Sequence, residues 1–268
     1  IMENGKQVLY VELKKALYGT LRASLLFWKR LTQQLEEWGY VINPYDWCVV
    51  NKEINDSQCT ILWHVDDIKV SHSDPKVVDL ILNLFQARYG KEAPLTVTRG
   101  KVHEYLGMTI DYTEKGKVKF TMFDYITNML ADLPMDMNGE AATPAPIHLF
   151  QVNETDPEKL DEDTAQMFHH NVAKLLFLSK RARPDIQTAV AFLCTRVRAP
   201  DTDDYKKLAR CMRYLRQSIE LPLILEADGA NIIKWWVDGA FAVHNDMKSR
   251  IDLDCPVRKW NSFAIRCD

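Results

Sequence analysis

Ile61-Leu62-Trp63-His64-Val65-Asp66-Asp67-Ile68-Lys69-Val70 sets an acidic pair between two apolar runs. The runs are rich in β-branched and aromatic residues and read as two short strands joined by a turn. Adjacent carboxylates repel each other and neither gains from burial, so the pair belongs in an exposed connection. Asp has an ordinary reason to sit there, because its side chain accepts bonds from nearby backbone N–H groups. A turn held rigid by its sheet can also offer both carboxylates to a divalent cation. Mg²⁺ favours a couple of carboxylates together with substrate phosphate oxygens, and two such ions can align an in-line phosphoryl displacement.

The chain around this turn alternates helices and hairpins. Upstream, Leu21, Leu25, Trp28, Leu31, Leu35 and Trp38 recur at steps of three and four, which predicts an amphipathic helix stopped by Gly39. Val49-Val50 and Cys59 to Trp63 read as strands separated by the polar stretch Asn51 to Gln58. Ile68 to Ser71 forms the next strand. Asp74-Pro75 then opens a second helix with Val78, Leu82 and Phe85 on its buried side. Tyr105 to Tyr112 and Val118 to Met122 predict a hairpin around Glu114-Lys115-Gly116. This order implies an α+β fold, an antiparallel sheet covered by helices.

Residues 131–165 carry Pro134, Pro144, Pro146 and Pro157 among dense acid and read as a connector with little regular structure. Three helices follow. Phe168, Val172, Leu175 and Ser179 line the first. Ala182-Arg183-Pro184 ends it, and Asp185 stands near the start of the second, which buries Ile186, Ala189, Leu193 and Val197. The third starts near Thr202 or Asp203 and buries Tyr205, Leu208, Met212 and Leu215, presenting Lys206, Lys207, Arg210, Arg213 and Arg216 on its other side. Ile232 to Val237 predicts one more strand, running into Asp238.

A net charge of −3 conceals a patterned distribution. Residues 1–30 hold six Lys/Arg against two Asp/Glu, and residues 171–216 hold eleven against four. Residues 131–165 hold nine acidic residues against Lys159 alone. Two basic blocks separated by an acidic one suit either solvated faces or a polyanionic partner. No run approaches the roughly 18 apolar residues that span a bilayer, so no membrane partner is expected. The N-terminus lacks a signal-peptide pattern, and its first residue, Ile1, suggests a piece of a longer chain. Six scattered cysteines lack metal-finger spacing, which argues against zinc and a disulfide framework and for reduced thiols in an intracellular protein. His72, His103 and His169-His170 lack metal-ligand spacing and read as structural or surface residues.

The ordered motifs resemble a known family. Trp63-His64-Val65-Asp66-Asp67 resembles the Tyr-X-Asp-Asp turn of reverse transcriptases, with His64 at the Tyr position. Leu13-Lys14-Lys15-Ala16-Leu17-Tyr18-Gly19-Thr20-Leu21-Arg22-Ala23-Ser24 resembles a segment of copia-type retrotransposon polyproteins. Tyr105-Leu106-Gly107-Met108, Arg183-Pro184-Asp185-Ile186 and Tyr205 to Leu215 resemble further motifs in the same order. Asp238-Gly239-Ala240 with Ser249-Arg250 resembles the opening of ribonuclease H. The resemblance runs from residue 8 to about residue 250.

That resemblance implies a polymerase palm-like sheet with partial fingers over residues 1–124. It implies an acidic connector with a helical thumb or connection region over 125–228, and an incomplete ribonuclease H-like start over 229–268. The implied activity is RNA-directed DNA synthesis: nucleotidyl transfer from dNTPs to a primer 3′-OH on an RNA or DNA template, assisted by Mg²⁺ or Mn²⁺. Asp66 and Asp67 would be catalytic and metal-binding, and Asp238 a metal ligand of the ribonuclease H start. Tyr18, Gly19, Arg22 and His64 would lie against incoming nucleotide and template. Leu106 and Gly107 would contact the primer, and Lys206, Lys207, Arg210 and Arg213 the nucleic-acid backbone. The implied location is a cytoplasmic particle or the nucleus. The family also places an essential Asp on a strand upstream of the Leu13–Ser24 segment, and neither Glu3 nor Glu12 sits in a matching motif. The isolated chain is therefore expected to be inactive. The alternative is a noncatalytic nucleic-acid-binding or degenerate retroelement remnant.

Overall fold

The computed structural model describes residues 2–10, 12, 16–17, 19–91, 94–153, 155, 157–226, 238–240 and 250–252. Its contacts gather into two units, Ile1–Val97 and Thr98–Asp268. The fold is mixed α and β, with two four-stranded antiparallel sheets and six α-helices among the described residues.

In the first unit, β1 (Met2–Glu3) and β2 (Lys6–Gln7) make a small hairpin. α1 follows at Leu21–Glu37. The Thr20 hydroxyl caps it by accepting from the Ala23 N–H, one of the donors a helix start leaves unmatched. Gly39, at φ +82°, turns the chain out of the helix, and Lys52 Nζ donates to the Trp38 carbonyl at 2.6 Å. β3 (Val41–Ile42), β4 (Val49–Ile54), β5 (Ser57–His64) and β6 (Asp67–Ser71) form a sheet in sequence order. α2 (Pro75–Tyr89) is capped by the Asp74 carboxylate, which accepts from the Lys76 N–H.

One sheet face and both helices share a core. Val50, Cys59, Ile61 and Trp63 pack with Leu31 and Leu35 of α1 and with Val77, Ile81 and Phe85 of α2. The expected helix stripe shifts here: Val77 and Ile81 are buried, whereas Leu82 is only partly so. The polar stretch Asn51 to Gln58 is also mostly strand, because β4 runs to Ile54 and β5 starts at Ser57. Asn51, Glu53 and Gln58 occupy the sheet face away from the core, where Thr60 Oγ1 and Gln58 Nε2 both donate to Asn51 Oδ1.

The second unit opens with β7 (Val102–Tyr105), β8 (Met108–Asp111) and β9 (Lys117–Thr121). Tyr105 to Tyr112 is therefore not one strand; Leu106 and Gly107 break it into a hairpin whose ends, Tyr105 and Met108, pair. α3 (Phe123–Ala131), α4 (Glu162–Ser179), α5 (Gln187–Arg196) and α6 (Thr202–Gln217) follow. β10 (Leu223–Glu226) returns to pair with β9. That pairing joins the hairpin to the C-terminal unit, so contacts divide the chain at Val97, earlier than the boundary expected near residue 124. The Ile232–Val237 strand expected from sequence lies outside the described residues. β11 (Asp238–Ala240) pairs with β12 (Arg250–Asp252).

Among its described residues the connector has a short 3₁₀ turn, Met135–Met137, yet it is not a loose linker. Met137 and Leu149 are buried in the same core as Phe168, Leu175, Phe192, Leu208 and Met212. Apolar residues spaced too widely to show a period can still fix a loop when each finds a cavity in a helical core.

Candidate active site

β5 and β6 are joined by two residues only, Val65 and Asp66, with His64 paired opposite Asp67. Side chains alternate along a strand. Cys59, Ile61 and Trp63 point into the core, so His64 and Asp67 are cross-strand neighbours on the other face. All four residues from His64 to Asp67 are exposed. The sheet and the helices behind it thus carry two carboxylates at a turn with a fully packed base.

The backbone of this turn is unusual. Val65 has φ +55°, and Asp66 does not share the positive value. A two-residue hairpin with positive φ at its first position alone follows the type II′ pattern, which favours glycine there. A β-branched side chain in that region is a genuine outlier. Three other two-residue hairpins provide the comparison. Asn4-Gly5 and Asn55-Asp56 place tolerant residues at positive φ. Leu106-Gly107 places Leu106 at φ +52°. The two strained turns are the two that the family resemblance assigns to chemistry and to the primer.

Asp66 and Asp67 form no ion pair among the described residues, so both carboxylates are open to a cation. Their hard oxygen donors suit Mg²⁺ bound jointly with substrate phosphates. No group of three His, Cys, Asp or Glu residues that could hold a metal occurs among the described residues. The pair therefore fits a cation shared with substrate, not one caged by this chain alone.

The other sequence-predicted residues are distributed as follows. Tyr18 lies outside the described residues. Gly19, at φ +85°, stands immediately before the α1 cap, and Arg22 is exposed in the first turn of α1. Leu106 and Gly107 belong to the second unit, as do the basic residues of α6. Asp238 begins β11, and its side chain lies outside the described residues.

The basic face of α6 departs from expectation. Lys206 is exposed, but Lys207 is only 2% exposed. Its ammonium donates to the Gln151 carbonyl at 2.6 Å and pairs with Asp203 at 2.8 Å. Arg210 donates to Thr143 Oγ1, and Arg213 donates to the carbonyls of Asp136 and Asn138. The Tyr205 hydroxyl donates to the Asp136 carboxylate, and burial together with that carboxylate pushes its pKa up to about 12. These side chains fasten the connector to α6. Sequence spacing puts the basic ones among them on a wet face because it cannot see a loop folding back over the helix.

Sequence reasoning also passed over a fastening role for the Arg183-Pro184-Asp185-Ile186 motif. Arg183 is 1% exposed. Its guanidinium donates twice to the Asp185 carboxylate, at 2.9 and 2.7 Å, and to the Ser218 carbonyl and hydroxyl at 2.8 and 2.7 Å. The Tyr214 hydroxyl donates to Asp185 Oδ2. A buried guanidinium needs such a full set of acceptors. The motif locks the start of α5 to the end of α6.

No family model matches the chain. A Saccharomyces cerevisiae (strain S288c) chain described as a "Putative transposon Ty5-1 protein" is 26% identical over 208 residues, covering 76% of this chain and 64% of that one. That likeness supports a retroelement origin. This chain spans just under two-thirds of the length of that curated relative. No solved structure matches. No helix among the described residues is long and apolar enough to cross a membrane.

Proposed function

We propose that this chain is the RNA-directed DNA polymerase segment of a retrotransposon, whose chemistry is nucleotidyl transfer from a dNTP to a primer 3′-OH. The observation that carries the reading is the acidic hairpin: two carboxylates with no ion pair among the described residues, at a strained two-residue turn anchored in a helix-backed antiparallel sheet. The retroelement origin and the ordered motifs support it.

Asp66 and Asp67 would hold a divalent cation jointly with nucleotide phosphates, and that cation would supply charge neutralisation for phosphoryl transfer. His64, cross-strand from Asp67, would contact the nucleotide. The Leu106–Gly107 turn offers backbone to a primer strand. Two carboxylates are fewer than a two-metal site needs, so the isolated chain is expected to bind primer–template and dNTP without sustained synthesis.

The test is ternary-complex formation on a primer–template. Adding Mg²⁺ with the next complementary dNTP should slow dissociation of the chain, and a mismatched dNTP should not. Asp66→Asn and Asp67→Asn should abolish the difference while leaving binary binding intact. A second reading, a noncatalytic nucleic-acid-binding remnant, draws on the absence of a third metal-ligating residue among the described residues. It predicts salt-sensitive binding with no response to any dNTP.

A further inference from the structure

The fastening of α6 to the connector leaves open which cations of the second unit meet a polyanion. Several of its basic residues are already committed. Arg183, Arg196, Lys207, Arg210 and Arg213 each donate to acceptors within the unit. Lys174 lies 3.8 Å from Asp132. At the C-terminal end of α4 the situation differs. Lys180 is exposed, and Arg181 is partly so. Neither has an acidic partner among the described residues.

Arg181 is nevertheless held in place. Its guanidinium lies 3.6 Å from the centre of the Phe177 ring and donates to the Phe177 carbonyl at 3.5 Å. Tyr125 stacks beside Phe177 at 5.3 Å and anchors itself by donating to the Lys174 carbonyl. A guanidinium lying on an aromatic ring keeps its charge and most of its donors while losing little further entropy on binding. The α4 dipole favours cations at this end, which explains their stability there. It does not supply the missing anion.

The stack also neighbours the second strained turn. Tyr125 sits in the first turn of α3, three residues after Met122, and Phe123 is 46% exposed. A Cβ built on Gly107 would lie 3.9 Å from the Met122 side chain. The Leu106–Gly107 turn and the aromatic–arginine stack thus both lie next to the start of α3.

We propose that Lys180 and Arg181, with Arg181 steadied by Phe177 and Tyr125, form a phosphate-docking point for the nucleic-acid strand that passes the Leu106–Gly107 turn. The inference deepens the polymerase reading and rests on it. The strand backbone takes two phosphate contacts here, from a preorganised guanidinium and a mobile ammonium.

The test is equilibrium binding of the full chain to a fluorescent RNA–DNA primer–template across a salt series. Neutralising one phosphate removes about 0.7–0.9 from the slope of log K against log salt. Lys180→Ala with Arg181→Ala should therefore lower the slope by roughly 1.4–1.8 and weaken binding several-fold at moderate salt. Arg181→Lys should keep the slope, and Phe177→Leu should weaken affinity with the slope kept. Circular dichroism checks folding. Should the double variant not fold, Lys180→Ala alone, at an exposed position, should still remove about 0.7–0.9. Salt-dependent binding by the wild type with an unchanged slope in the alanine variants overturns the docking point and leaves the polymerase reading standing. Absence of any primer–template binding by the wild type overturns both.

Discussion

Replacing Val65 with glycine should stabilise the first unit, although it deletes a side chain. Val65 holds φ +55° at the first position of its hairpin loop. Holding a non-glycine residue in the left-handed region costs roughly 1–2 kcal/mol, and strained functional backbones in general cost about 1–3 kcal/mol. The side chain is 49% exposed and adds little buried area to offset this. Glycine removes the steric cost but loses about 0.5–1 kcal/mol through its freer unfolded chain. The net gain is about 0–1.5 kcal/mol, with the middle of both ranges giving roughly 0.75 kcal/mol. For a unit of about a hundred residues, 1 kcal/mol raises the melting temperature by roughly 4–8 °C. Thermal and urea unfolding followed by circular dichroism would measure it. Asn55→Gly is the control, because Asn already tolerates its φ of +52° and should gain little. The same Val65→Gly change should loosen the Asp66–Asp67 pair and weaken the complementary-dNTP effect on ternary-complex lifetime. A Val65→Gly chain no more stable than the wild type, or no more stabilised than Asn55→Gly, would refute the claim that this turn stores strain.

Three further outcomes follow from the second unit. Arg183→Ala strands Asp185 and the end of α6, and should cost about 3–5 kcal/mol in urea unfolding, as expected for breaking a buried pair; a cost below 1 kcal/mol would contradict the fastening role. Lys207→Met removes the bond to the Gln151 carbonyl, and should free the connector to faster proteolysis near Gln151 while leaving the salt slope of primer–template binding unchanged. Asp161 caps α4, and the backbone and hydroxyl of Thr164 hold its carboxyl below the usual carboxylate range. A lowered folded pKa gives stability that is present above the unfolded value of about 3.9 and lost as pH falls through the folded value. Asp161→Asn should therefore lose less melting temperature than the wild type between about pH 4 and pH 2; parallel acid limbs would contradict it.

Much of this fold was legible from local chemistry. The α1 stripe, the Asp74 cap before Pro75 and the hairpin around Asp66 announce themselves, because each is fixed by neighbours a few residues away. What was hidden depends on distant partners. Leu106 conceals a turn because a branched hydrophobic residue is rarely placed at positive φ, so the Tyr105–Tyr112 stretch reads as one strand. β10 gains its identity only by pairing with β9, a hundred residues earlier in the chain. The carboxylate pair was readable as a motif, whereas its strain required the φ of Val65. The basic stripe on α6 was readable as a stripe. Its purpose was not, because the acceptors of Lys207 and Arg213 lie 56 to 77 residues away on the connector. A separation of 35 residues likewise concealed Ser218 as the partner of Arg183.

The central claim is that Asp66 and Asp67 bind a cation together with nucleotide. Mn²⁺ is paramagnetic and broadens amide resonances close to it. With primer–template and the complementary dNTP present, substoichiometric Mn²⁺ should broaden the amides of Trp63 to Ile68 selectively, and Asp66→Asn with Asp67→Asn should restore them. Broadening centred elsewhere in the chain, or unchanged in the double variant, would contradict the account.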